Sequence, residues 1–188
     1  MGKLDGKVCI ITGCASGLGK QEAIRFAEEG AKLAICSRTA AKLEDTKRLC
    51  EERGAEVLAF PCDVSVAEQR VAFIDAVVKK YGTIDVLVNN AHNTTILKPM
   101  MEKTLDELEI ETKCCLFAFF HFMQLCFPYM KDKPGAGASI INFASKAARE
   151  GTPGHSVYAT VKAGVGGLTR TAAREWGIHN IRVNELMP

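Results

Sequence analysis

The chain has 188 residues, 47% of them hydrophobic, which is long enough for one domain with a sizeable core. Lys and Arg number 24 against 22 Asp and Glu, with no basic run, so nucleic acid and anionic membrane surfaces are not expected as partners. No apolar leader opens the chain, and its most apolar stretch, residues 114–127, is broken by His121 and Gln124 and too short for a bilayer; a soluble, cytoplasmic protein that does not enter membranes is expected.

Residues 8–11, Val-Cys-Ile-Ile, lie between Gly6 and Gly13 and suit a strand buried on both faces. A helix is predicted over 17–29, with Ala23, Ile24 and Ala27 on one side and Gly30 closing it. The alternation then repeats: strand 32–36, helix 40–52, strand 56–60, helix 66–80, strand 86–88. One long helix is predicted over 104–130, followed by a strand at 139–143, a helix over 155–176 and a strand from 181 to 183. Six strands alternating with helices imply a parallel sheet covered on both faces. No linker or low-complexity segment divides residues 1–188, so a single domain is expected. Ligands of such sheets bind beyond the carboxyl ends of the strands, where the strand order reverses.

Eight cysteines are present, yet none forms a Cys-x-x-Cys pair and no His stands at a ligand spacing from them. Several fall inside apolar strand-like runs, where a free thiol behaves as a small buried hydrophobe. Reduced structural thiols and no bound metal are expected.

Between the first strand and the first helix runs Thr12-Gly13-Cys14-Ala15-Ser16-Gly17-Leu18-Gly19. Glycines at such a junction permit a tight turn and let a pyrophosphate approach the N–H groups of the helix N-terminus. Gly19-Lys20 is followed by Gln21, so this is not the phosphate loop of ATPases, and the spacing is Gly-x-x-x-Gly-x-Gly rather than Gly-x-Gly-x-x-Gly. Further on, Tyr158 and Lys162 stand four residues apart and share one helix face. A fixed positive charge beside a phenol favours the phenolate, so the pair suits general acid/base work.

Other motifs fall in register with these. Asp63-Val64 follows the third strand and Asn89-Asn90-Ala91 the fourth; Ser145 stands thirteen positions before Tyr158; Arg182-Val183-Asn184 and Pro188 close the sixth strand. Together and in this order they resemble the short-chain dehydrogenase/reductase family nearly end to end. The resemblance implies a Rossmann-type, doubly wound α/β sheet in three layers with strand order 3-2-1-4-5-6. Residues 1–188 would form its dinucleotide-binding domain, which lacks the family's seventh strand and substrate loop. It also implies hydride transfer between a nicotinamide cofactor and a small-molecule carbonyl or alcohol. Tyr158 would exchange the proton, Lys162 would assist it and bond the nicotinamide ribose, and Ser145 would orient the substrate oxygen. Gly13, Ser16, Gly17, Leu18, Gly19, Asp63, Val64, Asn90, Ala91 and Pro188, with Tyr158 and Lys162, would contact the cofactor.

Cofactor choice turns on the end of the second strand. Where NAD-binding chains carry a carboxylate for the ribose hydroxyls, this one has Ser37, followed by Arg38. A guanidinium can clamp a 2′-phosphate, so NADP(H) is expected ahead of NAD(H), although no second basic residue lies among Cys14, Ala15 and Ser16.

The chain departs from the family pattern in two side chains. His92 replaces the glycine after Asn-Asn-Ala; an imidazole there is a candidate substrate contact that could titrate near neutral pH. Counting back from Gln124, Pro128 and Met130, Cys115 stands where many members have an asparagine that supports a water chain to the lysine, so an altered proton relay is expected. Two alternatives stay open: a nucleotide-binding sensor or scaffold without turnover, and a dehydratase or epimerase on the same scaffold. Apolar residues crowd positions 116–127 beyond what one buried stripe requires, which suggests a homodimer or homotetramer.

Overall fold

The computed structural model describes residues 2–188. Strands β1 (Val8–Thr12), β2 (Lys32–Ser37), β3 (Val57–Pro61), β4 (Val86–Asn89), β5 (Ala138–Phe143) and β6 (Ile181–Leu186) pair in parallel, in the order β3-β2-β1-β4-β5-β6. This is the expected Rossmann-type sheet. The chain reverses its direction of winding at β1, so the crevice between the loops after β1 and β4 is the switch point where a ligand can enter.

Helices α1 (Gly17–Glu28), α2 (Ala40–Glu51), α3 (Ala67–Tyr81), α4 (Leu105–Glu111), α5 (Ala118–Met130), α6 (Ala147–Glu150) and α7 (Ser156–Trp176) make up the helical layers. Successive strand residues point to opposite faces. Cys9 and Ile11 therefore pack with Ala23, Ala27 and Leu43 of α1 and α2. Val8 and Ile10 join the larger core, with Phe73, Phe119, Phe122 and Val161 from α3, α5 and α7. Phe73, Phe119 and Phe122 are fully buried, each contributing about 1.5–3 kcal/mol by removal from water.

The helix expected over 104–130 is not continuous. Between α4 and α5 the backbone adopts a π-helical turn, Thr112–Phe117. Such a turn takes in one extra residue, which shifts the faces of the helices on either side. The hydrophobic run carries no mark of it, because the same residues stay apolar throughout. Cys114 and Cys115 are buried there, and Glu111 is buried at the last position of α4. By length and composition the run Leu105–Met130 is apolar enough to cross a membrane, longer than the stretch read from the sequence. In this fold its inner face instead supplies Phe119, Phe122 and Cys126 to the core.

Thr104 starts α4 with a capping box: its hydroxyl accepts from Glu107 N (3.2 Å), and Glu107 Oε2 accepts from Thr104 N (2.8 Å). Losing such a cap costs about 1 kcal/mol. Thr104→Ala is accordingly expected to lower Tm by about 2–4 °C in a thermal melt.

Candidate active site

A cleft of about 550 Å³ opens along the carboxyl ends of β1 to β4. Gly13, Ser16 and Leu18 line it after β1, Ser37 and Arg38 after β2, Asp63 and Val64 after β3, and Asn90, Ala91 and His92 after β4. Gly17 and Gly19 occupy the first turn of α1 beside it. Four chain segments distant in sequence thus meet at one crevice, as the motifs implied.

The local chemistry explains why the loop keeps its glycines. A Cβ at Gly13 would stand 2.8 Å from Ala91 Cα, and one at Gly19 would stand 2.5 Å from Asn90 Nδ2. Both glycines are fixed by the close approach of the β4 loop. Thr12 locks that approach: its hydroxyl accepts from Asn90 N (3.0 Å) and Ala91 N (2.9 Å), and its carbonyl accepts from Asn90 Nδ2 (2.8 Å). At the N-terminus of α1, Ser16 makes no side-chain cap and the first turn holds no acidic residue. Its N–H groups and the positive end of the helix dipole are therefore left to an anion. The residues present fit the pyrophosphate of a dinucleotide.

At the adenosine end, Ser37 Oγ turns to Thr39 O (3.4 Å), while Arg38 is exposed at the rim. Lys42, in the first turn of α2, lines the same rim, a second cation absent from the sequence reading. Asp63 is occupied with its own turn, accepting from Ser65 N (2.9 Å) and Ser65 Oγ (2.7 Å). Partial burial works to raise its carboxyl, but these bonds and the Arg38 charge outweigh it and hold it below its usual range.

Beyond the other end of the cleft lie the residues singled out for acid/base chemistry. Tyr158 and Lys162 share a face of α7, with Lys162 Nζ 5.9 Å from the centre of the Tyr158 ring. Lys162 is buried and donates to Phe143 O (2.6 Å) at the end of β5. Ser145 follows two residues later; its hydroxyl accepts from Ala147 N (3.3 Å) ahead of α6. The Cys115 thiol, from the π turn, is buried and pushed up by that burial, with the Lys162 charge opposing. Pro188 lies two residues beyond β6 and does not line the cleft.

His92 joins the cleft to this cluster. It lines the cleft, and its ring meets the Tyr158 ring edge to face at 5.0 Å. The expectation that it titrates near neutral pH does not hold: burial, and after it the Lys162 charge, push the imidazole down to about 4. It is neutral at physiological pH. Glu111 stands 3.9 Å from His92 Nε2 and was missed in the sequence, where it looks like any acidic residue of an amphipathic helix. Only the π turn that follows reveals why it faces inward.

All eight cysteines are free and buried, and among the described residues no three His, Cys, Asp or Glu side chains gather as a metal site would require.

Comparison with known proteins gives one family. The family model described as short chain dehydrogenase matches residues 7–188. A 12α-hydroxysteroid dehydrogenase of a Clostridium species is 40% identical, over 100% of this chain and 74% of its own length. Among solved structures, NAD+-bound xylitol dehydrogenase superposes with a TM-score of 0.94 at 32% identity, covering 99% of this chain and 71% of that one. A 7α-hydroxysteroid dehydrogenase complexed with NADH and 7-oxo glycochenodeoxycholic acid gives 0.91 at 34% identity, covering 98% and 71%.

Proposed function

Because the chain belongs to the short-chain dehydrogenase family and is an NAD(P)-dependent oxidoreductase acting on alcohol and carbonyl groups, we propose that it prefers NADP(H) and works through Ser145, Tyr158 and Lys162. The observation that carries this reading is the meeting of Tyr158 and Lys162 on one face of α7, next to His92 at the end of the cleft. The nicotinamide cofactor, when bound, supplies or accepts the hydride. The N-terminus of α1 would hold its pyrophosphate, and the cations Arg38 and Lys42 would favour a 2′-phosphate. Lys162 keeps a buried positive charge beside the phenol. Tyr158 gives its proton to the carbonyl oxygen or takes it from the alcohol. Ser145 donates a hydrogen bond to the same oxygen, holding it where charge develops.

Phe117 and Phe120 are half exposed on the π turn and α5, and the π turn packs beside α7. Covering this face in a homodimer or homotetramer of a cytoplasmic protein accounts for the excess of apolar residues there.

A panel of 3-oxoacyl thioesters, ketoses, xenobiotic ketones and oxo-steroids, followed by NADPH absorbance, tests the activity. Oxidation of NADPH by at least one class is expected, with oxo-steroids the first choice given the two hydroxysteroid dehydrogenases among the relatives. NADPH that binds without being oxidised by any class would favour the sensor reading.

A further inference from the structure

Three buried polar atoms of His92, whose ring packs on Tyr158, and of the facing Glu111 have no hydrogen-bond partner: His92 Nδ1, His92 Nε2 and Glu111 Oε2. Leaving such atoms unpaired is costly, and together they call for a common explanation. Glu111 is 1% exposed, and its two oxygens differ in role. Oε1 accepts from Thr95 N (2.8 Å) and Thr95 Oγ1 (2.5 Å), which fixes the carboxylate. Oε2 faces His92 Nε2 at 3.9 Å. That assignment leaves Nδ1 as the open nitrogen of a ring already packed on Tyr158. Outward, Thr95 Oγ1 accepts from Lys103 Nζ (2.9 Å), and Thr94 and Ile96 on either side of Thr95 are exposed. Polar groups therefore line up from Tyr158 through His92, Glu111 and Thr95 toward the protein surface, with the two links to His92 open in this state.

We propose that His92 and Glu111 form a proton path between Tyr158 and solvent at Thr95. The proposal rests on the oxidoreductase reading above. In the alcohol-oxidising direction Tyr158, having taken the substrate proton, passes a proton to His92 Nδ1. The N–H bond at Nε2 breaks in the same event, and that proton goes to Glu111 Oε2. Oε2 is itself buried, so the carboxyl must turn out of its Thr95 bonds to release the proton to water there, and carbonyl reduction runs the same steps backwards. One proton enters the ring at Nδ1 and one leaves at Nε2, so imidazolium does not accumulate; the ring is left as the Nδ1–H tautomer and must regain Nε2–H before the next turnover. This matches surroundings that oppose it: burial and the Lys162 charge disfavour imidazolium, Tyr158 packs on the ring, and Glu111 is the carboxylate that faces it. The 3.9 Å gap must close to about 2.6–3.2 Å for transfer, a tightening commonly seen when substrate binds. On the other side of Tyr158, the neighbours of Lys162, Phe143 O and Cys115, are both buried. Glu111 acts through His92, and His92 through Tyr158, so both are positioning and relay residues.

Two variants and two readouts test the path. His92→Phe keeps the ring packing and removes both nitrogens; Glu111→Gln keeps an acceptor for Thr95 and removes the negative charge. Long-range 1H–15N spectra of the cofactor-free chain are expected to show His92 held as the Nε2–H tautomer, with a shift toward Nδ1–H in Glu111→Gln. In turnover assays with NADPH and the best carbonyl of the panel, His92→Phe is expected to lower kcat by about 10- to 100-fold. The KM for NADPH should stay constant. An unchanged tautomer in Glu111→Gln, or wild-type kcat in His92→Phe, would overturn the path while leaving the oxidoreductase intact. If the wild-type chain reduces no carbonyl of the panel, the activity itself fails and the path falls with it.

Discussion

Tyr158→Phe is expected to reduce turnover by about 10²- to 10⁴-fold while NADPH affinity stays nearly constant. The substitution removes one oxygen and little else. The ring that meets His92 at 5.0 Å and lies 5.9 Å from Lys162 Nζ remains, so neither contact is a reason for the fold to loosen. The pyrophosphate cradle is built by Thr12, Asn90 and the N-terminus of α1, none of which depends on the phenol. What disappears is the group proposed to exchange a proton with the substrate oxygen while hydride moves. Kinetics with the best substrate, alongside a fluorescence titration of NADPH, separate the two quantities. Turnover equal to wild type would remove Tyr158 from the reaction, whatever its place in the structure.

The parts of this site legible in the sequence are those where backbone geometry restricts residue choice. Gly13 and Gly19 are readable because the β4 loop comes so close that no side chain fits. The strands are readable because burial on both faces demands short apolar runs, and their alternation with helices implies the parallel sheet that is observed. Tyr158 and Lys162 are readable because helical periodicity fixes which residues share a face. Legibility fails where a side chain's meaning depends on a partner far along the chain. Thr12 looks like the end of a strand until Asn90 and Ala91, some eighty positions away, donate to it. Lys42 looks like a solvated helix residue until the fold brings α2 beside Arg38. Glu111 was hidden twice, by a π turn that hydrophobic periodicity does not register and by its pairing with a histidine in another loop. The neutral-pH titration expected of His92 failed for the same reason, since burial and Lys162 cannot be seen from its neighbours in sequence.

The same dependence on distant partners governs cofactor choice, and it makes the second prediction sharper than Arg38 alone would allow. Arg38→Ala is expected to weaken NADPH binding by about 10- to 100-fold, the equivalent of 1.5–3 kcal/mol for hydrogen bonds to a charged group, with NADH affected severalfold less. The argument depends on what surrounds the arginine. Ser37 brings no negative charge and is turned toward Thr39 O, so nothing at that position repels a phosphate. Asp63 is the nearby carboxylate that opposes one; Ser65 holds its Oδ1 inside the turn after β3, and the Arg38 charge offsets it. Lys42 adds a second cation at the same rim, so Lys42→Ala should also select against NADPH, by a smaller factor because a flexible ammonium lacks the planar fork of a guanidinium. If both cations read one phosphate, the double substitution should bring the two cofactors to similar affinity. Isothermal titration of NADPH and NADH against wild type and the three variants decides it. Equal weakening of both cofactors by Arg38→Ala would mean that the guanidinium covers the adenine instead, and the preference for NADP(H) would have to be abandoned.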